Sequence, residues 1–369
     1  MALKGLKVIE MMGLAPGPFC GSLLADFGAT VTVVQKLGPS FLDIMNNGKK
    51  IISLDLKCKE GIAIFKKLCG VSDVLIDTYR PGVLEKLGVG PDILLKENKK
   101  LIYARLTGYG QNGLNSDKGG HDINYVAMSG VLAMLSKNRQ PPHPPINIIA
   151  DFAGGSVMCA LGILLALIER TKSGKGQVVD ASMTEGAAYI ATWLFKSKNL
   201  PIWRGEPGTN ILDGGVPYYA TYLTKDNKYM AVGPLEPQFY LNLLKGLNLS
   251  DEVYTQDEEE LCKKKFKEVF LTKTQDEWCT IFKDLDACVT PVLETNMLDT
   301  ENGSFYINEE NLIVPEPAPK LSSTPGIASG KQSKPKAGEH TIEILKELGY
   351  SNLKIKEFID NNYVYTYKK

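Results

Sequence analysis

The chain has 369 residues, and its 42 basic Lys and Arg side chains are balanced by 42 acidic ones. This length allows a large hydrophobic core and predicts more than one domain. A net charge of zero lacks the basic excess that is typical of nucleic-acid-binding proteins. The longest apolar run, residues 157–168, is shorter than the roughly 18 residues of a membrane span, so it predicts a buried core helix.

The seven cysteines are odd in number and scattered, and they form no C-x-x-C pair. This pattern argues against a disulfide scaffold and against a zinc site, and it favours a reducing, intracellular compartment. A strand pattern begins almost at Met1, which leaves no room for a secretory signal. The last three residues, Tyr-Lys-Lys, differ from a peroxisomal S-K-L address.

Short apolar strands alternate with helical spacing through the first third of the chain. The predicted strands are 6–11, 30–34, 74–77 and 101–107, and the predicted helices are 19–27, 60–69 and 91–97. This order is typical of βαβ units, which form a parallel sheet with right-handed crossovers. The turn after the first strand contains Pro16 and Pro18 instead of the G-x-G-x-x-G pattern, which argues against a dinucleotide site.

The rest of the chain, from residue 123 onward, predicts a division into domains. A helix at 123–135, a long helix from Asp151 and a strand at 177–181 complete a large Rossmann-like domain over residues 1–199. A Gly- and Pro-rich linker at 200–216 leads to a smaller α+β domain at 217–314, which opens with a hairpin of strands 218–223 and 229–232. A second linker at 315–337 precedes a helical segment, 338–369, that we expect to return to the large domain.

Three histidines can be weighed individually. His143 lies among prolines and predicts a solvated loop residue, and His340 lies beside a helix start. His121 follows a glycine loop and precedes a predicted helix. It could be an ordinary hydrogen-bonded residue of a helix start, or it could be a general base, because the positive end of a helix dipole favours the neutral imidazole.

Two carboxylates also have a structural and a chemical interpretation. Asp151 opens an apolar helix, so it could be an N-cap. The glycines Gly154 and Gly155 would also let a ligand approach, and a carboxylate near a dry site can act as acid or base. Glu236 immediately precedes Pro237, so helix capping is its default interpretation. The sequence has no nucleophile elbow, no H-E-x-x-H motif and no Walker loop.

Several short motifs occur in an order that covers nearly the whole chain. The chain resembles the α-methylacyl-CoA racemases of the class III CoA-transferase superfamily in GLAPGP (13–18), LADFGA (24–29), LDLK (54–57), YRPG (79–82), TGYG (107–110), GHD (120–122), ADFAGG (150–155), GKGQ (174–177) and GEHT (338–341).

The resemblance implies a two-base racemisation of a 2-methylacyl-CoA, a substrate of fatty-acid or bile-acid metabolism, without cofactor or metal. His121 and Asp151 would act on opposite faces of the α-carbon, and Glu236 would orient the histidine. One group removes the α-proton, an enolate forms, and the other group returns a proton. We expect amides at the start of the helix that follows Asp151 to stabilise the enolate.

The resemblance also implies contacts with coenzyme A. These contacts would come from the basic residue Lys36, from the stretch Leu54, Asp55, Leu56 and Lys57, and from Gly120, Asp122, Ile123, Asn124 and Tyr125. Two positions depart from the family pattern. Lys36 replaces an arginine, so it keeps the charge without the bidentate fork, and Asn47 replaces a basic residue.

The resemblance also implies that the chain forms an interlocked homodimer and that it is located in a peroxisome or a mitochondrion.

Two other functions remain open at this point. In a CoA-transferase of the same superfamily, Asp151 would be a nucleophile that forms a mixed anhydride. The presence of His121 and the short glycine run 213–216 argue against this. A non-catalytic CoA-binding scaffold would be expected to have lost His121, Asp151 or Glu236, and all three are present.

Overall fold

The computed structural model describes residues 1–39, 44–137 and 140–367. The chain divides into two compact units. The first unit contains residues 1–131, 145–191 and 299–369, and the second contains residues 132–144 and 192–298.

The first unit is built on a seven-stranded sheet. Six strands run parallel: β1 (Lys7–Met11), β2 (Thr30–Gln35), β3 (Lys50–Leu54), β4 (Val74–Asp77), β5 (Ile102–Thr107) and β6 (Val178–Ser182). The last strand, β12 (Val364–Tyr365), pairs antiparallel with β3, and the order is β12-β3-β2-β1-β4-β5-β6. Since Ile9, Leu75 and Ile76 are buried in adjacent strands, helices must cover both faces. The predicted mostly parallel sheet is confirmed.

The helices of the first unit connect these strands or close the chain. They are α1 (Pro16–Asp26), α2 (Lys59–Gly70), α3 (Val83–Lys86), α4 (Pro91–Glu97), α5 (Asp122–Met128), a π-helix (Ile148–Val157), α7 (Met158–Ser173), α8 (Met183–Ile190) and, near the C-terminus, α13 (Thr341–Glu347) and α14 (Asn352–Asp360). The short helix α6 (Val131–Met134) has its first residue in the first unit and the others in the second. The predicted helix 123–135 is divided, because Gly130 adopts a φ of 82° between α5 and α6.

The second unit has its own core. It contains a three-stranded antiparallel sheet of β7 (Ala220–Leu223), β8 (Tyr229–Val232) and β9 (Val289–Pro291), with helices α9 (Thr192–Ser197), α10 (Pro237–Leu247), α11 (Glu259–Phe270) and α12 (Gln275–Phe282). Phe266, Phe270 and Trp278 are fully buried in this core. The aromatic spacing of α11 places its apolar side chains against the sheet.

The unit boundaries differ from those predicted. Residues 200–216 are not an open linker, because the Asp213 carboxylate accepts hydrogen bonds from the amides of Gly208 (2.6 Å) and Asn210 (2.7 Å). Residues 299–314 belong to the first unit. There the hairpin of β10 (Phe305–Ile307) and β11 (Ile313–Pro315) places Tyr306 beneath the Lys331 ammonium, 4.8 Å from the ring centre.

The apolar helix predicted to be fully buried is exposed on one side. The π-helix and α7 together form a helical stretch, Ile148–Ser173, of 26 residues, and an 18-residue window within it has a mean hydropathy of 2.0. By length and composition this stretch could cross a membrane, but the core helix of a globular protein meets the same criterion. Val157, Leu161, Leu164, Leu165 and Ile168 form its exposed face.

Glycine contacts fix the position of the π-helix against α8. A Cβ atom on Gly186 would lie 1.8 Å from the carbonyl oxygen of Gly154, and one on Gly154 would lie 2.4 Å from the amide nitrogen of Ala187. The two backbones therefore touch directly. These glycines serve packing between helices, rather than the ligand approach that the sequence suggested for Gly154.

We predict that Gly186→Ala lowers the free energy of unfolding by about 1–3 kcal/mol, because neither backbone can move away without strain. Urea denaturation followed by circular dichroism measures the change. Gly70→Ala at the end of α2 is the matched control, since its new Cβ would meet no atom within 4 Å. Equal stabilities for the two variants would contradict the proposed close contact.

Candidate active site

A cleft of 590 Å³ opens in the first unit at the carboxyl edge of the parallel sheet. Its walls include Pro16 and Gly17, which follow β1, and Thr78 and Arg80, which follow β4. The strand order reverses between β1 and β4, so their connections leave in opposite directions and a crevice remains between them. Ligands of open α/β sheets bind at such a switch point.

His121 lines this cleft at the start of α5. It is the N-cap residue in an extended conformation, and its amide donates to Asn124 Oδ1 at 3.1 Å. This side-chain oxygen of Asn124 thereby fixes the backbone that carries the imidazole. His121 is exposed, so its side chain is accessible to a ligand in the cleft.

Tyr125 fixes the glycine loop just before the histidine. Its hydroxyl donates to the Gly120 carbonyl, and its ring packs edge-to-face on Tyr109 with centroids 5.0 Å apart. Gly108 must lack a side chain here, because a Cβ would lie 2.2 Å from the Tyr125 ring. Burial raises the pKa of Tyr125 to about 12, so the phenol stays neutral near neutral pH.

Asp151 lines the same cleft from the π-helix. It is the fourth residue of that helix rather than its N-cap, so the capping interpretation is wrong. Its Oδ2 accepts one long hydrogen bond of 3.4 Å from Asn147 Nδ2. Desolvation raises the pKa of Asp151 above its ordinary value, the Asp122 charge raises it further, and Asn147 and His121 act in the opposite direction.

Ser156 connects the π-helix to the start of α1. Its fully buried Oγ lies 2.7 Å from the carbonyl oxygen of Pro16 and 3.0 Å from that of Asp151. Pro16 is itself a wall of the cleft. The hydroxyl therefore ties the backbone of Asp151 to the opposite wall.

The structure brings His121, Asp151, Gly120, Asn124 and Tyr125 together around one cleft. Of the other residues predicted to contact coenzyme A, Leu54 is only 2% exposed and packs in the core, so its side chain is not available to a ligand. Lys36, Lys57 and Ile123 are exposed but are not among the residues that line the cleft.

Two more predicted contacts have a clear structural role. Asp55 Oδ1 accepts a hydrogen bond from the Lys57 amide at 3.0 Å, which orders the turn after β3, and Leu56 packs partly against the core. Asp122 is 4% exposed, and its Oδ1 accepts hydrogen bonds from the amides of Ala150 and Asp151. The Asp122 side chain is therefore engaged within the protein, and a contact of this residue with coenzyme A stays a prediction that its backbone would have to fulfil.

Glu236 lies in the second unit, as the N-cap residue of α10. Its side chain is exposed and makes no capping hydrogen bond. The capping role that the sequence suggested is therefore absent, and the carboxylate is not committed to its own helix.

Two cations of the cleft, Arg80 and Lys118, were not predicted as site residues from the sequence. Arg80 lies against the glycine loop, and a Cβ on Gly119 would be 2.8 Å from its Nη2. The signal for Arg80 was present, since an arginine that closely follows a buried parallel strand lies at the edge where ligands bind. Lys118 lies in a loop, and its sequence gives no such signal.

The remaining ionisable residues do not suggest a metal centre. Within residues 1–39, 44–137 and 140–367, no group of three His, Cys, Asp or Glu side chains could hold an ion. The seven cysteines are free thiols, and Cys20 and Cys159 are buried next to each other.

We predict that Arg80→Met raises the Kd for coenzyme A about tenfold or more, because a charge-assisted hydrogen bond to phosphate contributes about 1.5–3 kcal/mol. Isothermal titration calorimetry measures the affinity. Lys356→Met, which removes an exposed charge on α14 outside the cleft, is the control and should change nothing. An unchanged Kd for Arg80→Met would show that the phosphates bind elsewhere.

Comparison with known proteins identifies the family. Residues 3–341 match the model of CoA-transferase family III. The chain is 51% identical to human alpha-methylacyl-CoA racemase and 50% identical to the mouse protein, each over 365 residues that cover 96% of this chain and 95% of the relative. A CAIB/BAIF family protein from Brucella suis has a similar fold, with a TM-score of 0.77 at 21% identity over 94% of this chain and 99% of that one. The chain belongs to CoA-transferase family III.

Proposed function

We propose that this protein is an isomerase that interconverts the (2R) and (2S) forms of 2-methylacyl-CoA thioesters. The observation that carries the proposal is the presence of two acid/base groups, His121 and Asp151, in one cleft of a chain whose half-identical relatives are named as racemases. A transferase needs the aspartate but has no use for a histidine base. The cleft volume of 590 Å³ lies within the range of small-molecule and cofactor sites.

In this mechanism His121 and Asp151 act on opposite faces of the α-carbon. One group takes the α-proton, the thioester becomes an enolate, and the other group delivers a proton to the opposite face. A single base would return the proton to the face it left, so inversion requires two groups. A raised pKa suits Asp151 to this role, because a group that both takes and gives protons works best when its pKa is closer to the working pH.

Enolate stabilisation does not come from two amides near the start of the π-helix. The amides of Ala150 and Asp151 donate to the Asp122 carboxylate at 2.8 and 2.7 Å. These two amides are therefore engaged and do not donate to an enolate oxygen. The expectation concerned the amides that follow Asp151, and for those it stays a prediction.

The substrate is its own source of coenzyme A, and we propose that the reaction uses no other cofactor and no metal. Arg80 and Lys118 supply positive charge beside the cleft for the phosphates. Lys36, Lys57, Gly120, Asn124 and Tyr125 are proposed to contribute further contacts, through backbone or side chain. For Glu236 we propose the orienting role toward His121, which its uncommitted carboxylate allows.

The decisive experiment uses purified protein with (2R)-2-methylacyl-CoA in deuterium oxide, with the α-proton followed by NMR. We expect deuterium at C2 together with the (2S) product, in the absence of any second acid. Transfer of coenzyme A from the thioester to an added carboxylic acid, with release of the free 2-methyl acid and without exchange at C2, would instead make Asp151 a nucleophile and the protein a CoA-transferase. A protein that binds coenzyme A but does neither would be a scaffold.

Variants assign the roles in the same assay. His121→Ala and Asp151→Ala should each reduce inversion by at least about 100-fold, as expected for loss of a general acid/base, with the Kd for coenzyme A nearly unchanged. Glu236→Ala should cost less, because it only orients the histidine. Near wild-type turnover in either of the first two variants would remove that residue from the mechanism. A Glu236→Ala protein that matches wild type would remove the orienting role.

We also propose that the protein is a homodimer, interlocked as in the family. The supporting observation is the exposed apolar face of α7, where Leu161, Leu165 and Ile168 lie one turn apart. Such a face is costly in water and is typical of an interface. The compartment implied by the resemblance, peroxisome or mitochondrion, remains a prediction.

Sedimentation velocity tests this assembly. We expect Leu165→Lys to shift the wild-type dimer to monomer, because a charge replaces an apolar contact. Leu353→Lys on α14 is the matched control, since that leucine is 80% exposed and the change should leave the dimer intact. A monomeric wild type, or a Leu165→Lys protein that still forms dimers, would contradict the proposal.

A further inference from the structure

The most unusual polar contact beside the cleft is made by Asp122. Its carboxylate is buried, and a single oxygen, Oδ1, accepts hydrogen bonds from two consecutive amides, Ala150 at 2.8 Å and Asp151 at 2.7 Å. These amides lie 28 and 29 residues further along the chain. The side chain thus joins two separate elements, α5 and the π-helix.

The contact does the work of a helix cap. The first-turn amides of a helix have no acceptor within the helix, and a neighbouring N-cap side chain usually supplies one. Here the N-cap residue, Asn147, makes no capping bond, and its amide group donates to the Asp151 carboxylate instead. The negative charge of Asp122 replaces it, in the position that favours an anion beside a helix N-terminus.

The same residue is covalently bonded to His121. The path from the histidine to the aspartate is therefore one peptide bond, the Asp122 side chain and one hydrogen bond of 2.7 Å. We infer that Asp122 is a positioning residue, which sets the separation of His121 and Asp151 across the α-carbon of the substrate. This inference rests on the proposed racemase function, and it replaces the contact with coenzyme A first expected of this side chain.

The charge of Asp122 has a second effect. Within the described part of the chain its other oxygen, Oδ2, has no hydrogen-bond partner, so the charge is only partly neutralised. Three ionisable groups besides Asp151 interact with this region: Asp122 raises the pKa of Asp151, His121 lowers it, and Tyr125 stays neutral. Loss of the Asp122 charge should therefore lower the pKa of Asp151.

Two substitutions separate these effects. Asp122→Asn keeps an oxygen that can accept both amide bonds but removes the charge. Asp122→Ala removes the acceptor as well. Asp26→Asn is the matched control, because the Asp26 carboxylate also accepts a backbone amide, that of Ser329 at 2.7 Å, but does not line the cleft.

We expect Asp122→Ala to reduce kcat for inversion about 100-fold, as a displacement of roughly 1 Å in a reacting group does. The Kd for coenzyme A should stay within about twofold, well below the 1.4 kcal/mol of a tenfold change. For Asp122→Asn we expect a smaller loss, and the acidic limb of the kcat–pH profile should move to lower pH. Asp26→Asn should leave both constants and the profile unchanged.

The stereochemistry of exchange provides a readout that a merely structural role would not change. In Asp122→Ala, His121 should still remove and return the α-proton of the enantiomer it faces, so deuterium enters at C2 with retention. Delivery from a displaced Asp151 should fail. We therefore expect the ratio of inversion to exchange to fall well below that of wild type. An unchanged ratio with unchanged kcat would overturn the inference.

Two further outcomes are distinguishable. A large rise in the Kd for coenzyme A with normal inversion at saturating substrate would make Asp122 a ligand and overturn the positioning role. Hydrogen exchange at the Ala150 and Asp151 amides, measured by mass spectrometry on residues 148–157, should accelerate in Asp122→Ala. Unchanged protection would show that the two hydrogen bonds to Asp122 do not hold these amides. If the wild-type protein itself fails to exchange the α-proton, the proposed function is wrong. Amide exchange still decides whether Asp122 holds the amides of Ala150 and Asp151.

Discussion

The geometry of the cleft depends on where two helices begin. α5 and the π-helix each bring one acid/base residue to the carboxyl edge of the sheet, and the first-turn amides of the π-helix need an acceptor. Asp122 supplies it from the other helix, so the two helix starts cannot move independently. Direct backbone contact at Gly154 and Gly186 fixes the π-helix from another side. Together these contacts leave the position of Asp151 little freedom.

Electrostatics follow from the same packing. Asp151 is half-buried, and both this burial and the neighbouring Asp122 carboxylate raise its pKa. The nearby phenol of Tyr125 stays neutral because it too is buried. Within its described lining, the cleft also contains the cations Arg80 and Lys118, and Arg80 lies against the glycine loop before His121.

Sequence patterns predicted the elements that local periodicity defines. Strand β4 and helix α4 were predicted with the bounds that the structure has, because each is an apolar or amphipathic run with clear ends. Strand β3 was missed, since its segment, Lys50–Leu54, lies among polar neighbours and is buried only by the sheet around it. The order of residues 200–216 was missed because it comes from side-chain hydrogen bonds of Asn210 and Asp213 to nearby backbone groups, which have no periodic sequence pattern.

Only those parts of the site that local sequence signals mark could be predicted. His121 and Asp151 could be named from their places at helix starts and from the resemblance. The role of Asp122 could not, because its partners lie 28 and 29 residues away and only the fold brings them within hydrogen-bond distance. The aspartate beside His121 therefore resembled a ligand residue in the sequence.

The environment of Asp151 also bears on the choice between two chemistries available to one fold. An aspartate nucleophile needs only its ionised form, which an ordinary carboxyl already has at neutral pH. A proton shuttle must be able to occupy both protonation states during one turnover. Burial and the Asp122 charge raise the pKa of Asp151, so its protonated form is more easily populated near neutral pH. Burying these carboxylates lowers the stability of the fold, and a nucleophile would not require that loss.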